Sequence, residues 1–157
     1  MKLSFFLDLI IIFLIAFFTA KKRLHVLTNL FNLMVLEMLI TCYFAILYIN
    51  LDLWEVDNHT ENFFIFRLHE VVFMPLLYIW YFNLAAQIKS RVQLLLVTEG
   101  LAGILLGSEF LLVQWEIIIY KDWHYWNSIV FFHIILLVSS ILQQGFRQIL
   151  QKEGIEK

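Results

Sequence analysis

Five long apolar runs constrain this chain more than anything else in it. They cover residues 3–20, 26–49, 66–86, 94–113 (or on to 119) and 126–142. Each is close to the roughly 20 residues that a helix rising about 1.5 Å per residue needs to cross a hydrocarbon core about 30 Å thick. The runs are too long for barrel strands and lack their apolar/polar alternation. Backbone polar groups in lipid must bond within the segment, so helices follow. With 62% hydrophobic and only 15% charged residues, a chain of 157 has too little polar surface for a water-soluble domain. The expected fold is all-α: one transmembrane domain over residues 1–157, a five-helix bundle with a short cytoplasmic tail at 143–157.

The first run differs from a cleaved secretory signal. Asp8 interrupts it, Phe17 and Phe18 occupy positions that a cleavage site gives to small residues, and Lys21, Lys22 and Arg23 follow at once. Threading the chain five times sorts its basic residues. Lys21, Lys22, Arg23, Lys89, Arg91, Arg147, Lys152 and Lys157 fall on one side; Lys2, Arg67 and Lys121 fall on the other. Eight against three sets the N-terminus outside and the C-terminus in the cytoplasm by the positive-inside rule. Trp54, Trp123 and Trp126 are then expected as headgroup-level anchors on the outer side, near the acidic residues Asp52, Glu55, Asp57 and Glu61. The sequon Asn58-His59-Thr60 falls in the same outer loop. Cys42 is the single cysteine, so no internal disulfide forms, and it reads as a small hydrophobe within a helix. A net charge of -2 offers nothing to nucleic acid.

Ionisable side chains at membrane depth cost a few kcal/mol each and need a reason to be there. In the orientation above, Asp8, His69, Glu70, Glu109 and His133 lie in outer halves of their helices and Glu116 at the outer boundary. Glu37 lies mid-span, Glu99 in an inner half, and Asn29, Asn32 and Asn83 toward the cytoplasm. Glu37, His69, Glu70, Glu109 and His133 are therefore the expected site. One reading is a polar cavity open to the outside and narrowing toward Glu37, for a cation, a proton or a headgroup. The other is that these groups pair across helices and hold the bundle together. Being adjacent, His69 and Glu70 point in different directions and do not address one ligand.

Pro75, the only proline, lies inside the third run and is expected to distort that helix. Gly100, Gly103 and Gly107 share a face of the fourth run, a small-residue pattern expected to admit another helix from the same chain or from a second copy. Metal signatures such as H-E-x-x-H are missing, and so are nucleophile elbows, phosphate loops and dinucleotide fingerprints. No catalytic residue, cofactor or metal is expected.

Around Glu70-x-x-Phe73-x-Pro75, Tyr120-Lys121-x-Trp123 and Trp126-x-Ser128, the C-terminal two-thirds resembles a family of small, uncharacterised multi-span membrane proteins, found mainly in endospore-forming Gram-positive bacteria. The resemblance implies a bacterial plasma membrane, brings no activity with it, and marks Glu70, Pro75 and Trp123. The expected function is that of a non-enzymatic accessory or subunit protein. Its partners would be the lipid bilayer and a second protein or a second copy of itself. It would bind a partner, a lipid or a small ion in a polar intramembrane cavity. The alternatives are a small oligomeric ion or proton channel or carrier using these carboxylates, and an intramembrane enzyme.

Overall fold

The computed structural model describes residues 1–19 and 22–155. Ala20 of the first expected span, and Lys21 and Lys157 of the charge count, lie outside the described residues. Five helices, each long and apolar enough to cross a membrane, make up the bundle: α1 (Lys2–Thr19), α2 (Val26–Asn50), α3 (Thr60–Ala85), α4 (Arg91–Gln114) and α5 (Tyr125–Lys152). They are the five expected runs, with two ends shifted by six residues or more. α3 starts six residues before residue 66, because Glu61 and Asn62 lower the hydropathy without breaking the helix. Arg67, expected at the outer edge of the third run, therefore lies about two turns inside α3. α5 runs through most of the expected tail.

α3 is the central helix: 61% of its most apolar window is buried inside the protein, against 11–33% in the other four. Its apolar residues surround the axis, as a helix packed on all sides requires, and Phe66, Met74, Leu77, Tyr78 and Phe82 are all buried. Pro75 distorts it through a π-turn at His69–Phe73, where the Met74 N–H reaches back to the His69 carbonyl. The wider turn lies immediately ahead of the residue that has no N–H to offer. A second π-turn, Ile46–Asn50, ends α2.

Contacts at both ends fix the up-and-down order. Lys2 Nζ donates to the Trp115 carbonyl at 2.7 Å, and the Leu3 N–H to Glu61 at 3.3 Å, joining the starts of α1 and α3 to the end of α4. At the opposite end, Asn83 of α3 binds the segment before α2, and Phe31 stacks on Phe146 of α5 at 4.2 Å. The first described residue and the end of α5 thus sit at opposite ends of the bundle.

Beyond the helix ends, the α2–α3 and α4–α5 connections pair with each other. β1 (Trp54–Val56) and β2 (Ile118–Tyr120) form an antiparallel ribbon with Trp54 opposite Tyr120. The pairing is extended by Asp57 N–H to Ile117 O and Lys121 N–H to Leu53 O, both 3.0 Å. Trp54 is fully buried beneath this ribbon, against Tyr43, Phe44, Tyr120 and Trp123. The expected headgroup anchor at Trp54 is corrected: its indole fastens the cap to the core and reaches no lipid. Trp126, 77% exposed, stays on the surface in the first turn of α5, and Trp123 is half-buried.

The chain enters β2 through a Schellman turn. Ile117 N–H bonds to Leu112 O and Glu116 N–H to Val113 O, both at 2.9 Å, while Leu112 and Ile117 bury together. Glu116 occupies the left-handed position, with φ 56°.

Candidate functional site

The five expected site residues do not converge on one cavity; that expectation is corrected. The central position of α3 explains why. Neighbouring helices surround it, so His69 and Glu70 are both buried while facing different partners. Glu70 pairs with Arg67, one turn earlier, at 2.7 Å, and Thr41 of α2 lies within hydrogen-bonding reach of the same carboxyl. Arg67 rests over Phe63 and Phe66 with its outer side half-exposed. Glu37 stands close enough to feel the charge of Glu70 and has no hydrogen bond or ion pair among the described residues.

His69 turns toward α4, its Nε2 2.9 Å from Ser108 Oγ. The Ser108 hydroxyl donates to the Leu105 carbonyl at 2.7 Å, so the imidazole supplies the proton from Nε2. Nδ1 is then a bare acceptor without a partner among the described residues, beside the Phe6, Phe44 and Phe73 rings.

Glu109, the next residue after Ser108, serves the cap. Its carboxylate accepts from Ser128 Oγ at 2.5 Å and from the Tyr120 hydroxyl, while Trp123 Nε1 donates to Ser128 at 2.8 Å. Burial first, and then the Glu109 charge, holds the Tyr120 phenol well above the ordinary tyrosine range, so it stays a donor. Tyr43 borders the same cluster, its buried hydroxyl without a hydrogen-bond partner among the described residues.

His133 is separate again. It faces Glu99 across the α4–α5 seam at 3.4 Å, with both side chains partly exposed, and its Nδ1 lies 2.8 Å from Ile129 O. The hollow beside it, about 10 Å³, is at the lower limit for a single water. The expected packing of a helix of this chain on Gly100, Gly103 and Gly107 is also corrected. All three are exposed, and a Cβ built on any of them would meet nothing within 4 Å. They sit with Glu99 on the outward face of α4, away from the buried Leu101, Leu105 and Leu112.

Asn83, expected only as a polar residue toward the cytoplasm, is a joint between α3 and the segment before α2. Its Oδ1 accepts from Arg23 and Leu24 N–H at 3.0 and 3.2 Å, and its Nδ2 donates to Asn29 Oδ1 at 2.7 Å. Ser108 gave no signal, since serine is common in apolar helices, and Ser128 stood out only within the Trp126-x-Ser128 motif. Arg67 carried a usable signal: an i,i+3 spacing to Glu70.

The larger hollows lie elsewhere. A groove of about 330 Å³ runs between α1, α2 and α3, apolar except for Lys22 and Asn29. A second, about 230 Å³ and wholly apolar, lies between α3 and α4 beside Trp80 and Gly100. A third, about 760 Å³ and partly polar, lies beside the cap and is bordered by Lys2, Asp57 and Glu116. Glu37, Glu70 and Glu109 line none of these three. Among the described residues no three His, Cys, Asp or Glu side chains come together as metal ligands.

Comparison of the chain with known protein families, curated proteins and solved structures finds no match.

Proposed function

We propose that this chain is a non-enzymatic accessory or subunit protein of a plasma membrane, with its N-terminus outside and its C-terminus in the cytoplasm. Its ligand or partner reaches it from within the bilayer. The excess of basic residues at the end of the bundle that carries Lys22, Lys89 and Arg147 supports the orientation. The resemblance at Glu70, Pro75 and Trp123 supports a bacterial source.

The observation that carries the function is how the buried acids are used. Glu70 is closed by Arg67, and Glu109 by Ser128 and Tyr120. Carboxylates engaged by donors of their own chain hold helices together, and neither of these two lines any of the three larger hollows. Of the three larger concavities, two are mostly apolar and lie between helices, and the third, polar one lies at the cap.

Glu37 favours the second reading, an oligomeric ion or proton channel or carrier, because no donor among the described residues reaches it at mid-span. Reconstitution into proteoliposomes separates the two. The accessory reading predicts no proton or cation flux above that of empty vesicles. Flux abolished by Glu37→Gln, with an unchanged unfolding temperature, overturns it in favour of the channel.

A further inference from the structure

We propose that the groove between α1, α2 and α3 binds an anionic phospholipid, with its phosphate at Lys22 and one acyl chain along Phe17, Leu30, Leu33, Val72 and Leu76. The proposal rests on the accessory reading and names a ligand class for it.

The groove has the dimensions of one leaflet. Its lining on α3 runs from Val71 to Ile79, eight residues or about 12 Å of helix, and on α2 from Val26 to Leu33, about 10 Å. Half of a hydrocarbon core is about 15 Å deep. A chain that enters at the basic end therefore lies against protein over most of its leaflet and ends just short of Glu37, one turn beyond Leu33.

The chemistry is polarised in the same sense. Lys22 stands at the mouth, its ammonium 4.4 Å from the Phe17 ring centre and 5.1 Å from that of Phe18. Asn29, the other polar lining residue, has its amide already engaged: Nδ2 donates to Leu24 O and Oδ1 accepts from Asn83. Among the described lining residues, one cation at the mouth and no unpartnered polar atom below it match a ligand charged only at its head. The groove stays open because α1 is held through Phe6 and Phe13 against Phe73 and Trp80 of α3, which leaves the flank of α2 uncovered.

In the proposed orientation the mouth opens to the cytoplasmic leaflet, which carries anionic lipids.

The test uses the full chain in phosphatidylcholine bilayers, doped with chain-spin-labelled phosphatidylglycerol or phosphatidylcholine. The motionally restricted fraction of each label is measured. We expect a preference for phosphatidylglycerol that falls about fivefold in Lys22→Gln, the factor contributed by one basic residue at an anionic surface. Leu30→Trp fills the groove at an exposed position and is expected to reduce the restricted phosphatidylglycerol with no change in unfolding temperature. A preference unchanged in Lys22→Gln overturns the proposal. So does a loss in Lys22→Gln with no effect of Leu30→Trp, which would mark contact at the rim only. A dimer that Leu30→Trp dissociates without altering lipid preference would show a second copy in the groove and also overturn it. Failure of the accessory reading registers separately, as Glu37-dependent ion flux.

Discussion

Tyr120, outside the helices, donates its hydroxyl to Glu109, a carboxylate buried inside the bundle. This bond, with Trp54 packed beneath the same tyrosine, makes the cap part of the core. Glu109→Leu removes the acceptor and strands two donors, Tyr120 and Ser128, each costing about 1–3 kcal/mol when buried and unpaired. The expected loss is about 3 kcal/mol, read as a lower unfolding temperature in detergent micelles. Glu109→Gln keeps an acceptor oxygen and is expected to lose about 1 kcal/mol. Equal losses from the two variants would mean that the carboxylate holds no donors.

Arg67 and Glu70 form the other indispensable pair. Arg67→Ala leaves Glu70 sealed in the bundle without its counter-charge, and the expected cost is about 3 kcal/mol, the low end for a buried pair because Arg67 is half-exposed. Replacing both, as Arg67→Met with Glu70→Leu, removes the stranded charge and is expected to recover most of that loss. A double-mutant cycle of unfolding free energies measures the coupling. A coupling near zero would show that the pair holds nothing together.

The spans were legible because twenty apolar residues in a row leave the backbone one solution in lipid. Their ends were not: at Thr60 and Lys152 polar residues enter a helix that packing and local hydrogen bonds continue. The cap strands, three residues each, are too short to show alternation, so Trp54 looked like any loop tryptophan near an interface. Only the fold brings it under Tyr120, across a separation of 66 residues. The acids were legible as costly. Their partners were not: Arg67 read only as a charge on the outer side, and Ser128 and Tyr120 reach Glu109 only once α4, β2 and α5 meet. The glycines of α4 gave a face, but which way it points depends on where the buried stripe of Leu101, Leu105 and Leu112 turns.

Glu116 and Gly154 hold the same position in two Schellman turns, one after α4 and one after α5. Both have positive φ, 56° and 71°, and each is followed by an N–H that reaches back five residues at 2.9 Å. Only the second has the residue that adopts this backbone without strain. Glu116→Gly is expected to stabilise the protein by about 1 kcal/mol, seen as a rise in unfolding temperature. Glu116→Val should lower it. An unaltered temperature in Glu116→Gly would show that the exposed glutamate tolerates the left-handed position at no cost.

Asp57 makes the start of α3 sensitive to acid. Asn62 Nδ2 donates to it at 2.5 Å and the His59 N–H at 3.3 Å, so its carboxyl is held below the ordinary value of 3.8, chiefly by Asn62. Because the folded value is the lower one, this contribution is complete above about pH 3.8, where the carboxylate is charged in both states. It fades as the pH falls through the folded value, when the protonated acid no longer accepts both bonds. Amide exchange protection over residues 59–63, corrected for intrinsic rates, is therefore expected to hold from neutral pH down to about 4 and to fall below it. In Asp57→Ala it should be lower throughout and flat across that range. Protection that rises on acidification, or falls equally in Asp57→Ala, would show that another group ties down the first turn of α3.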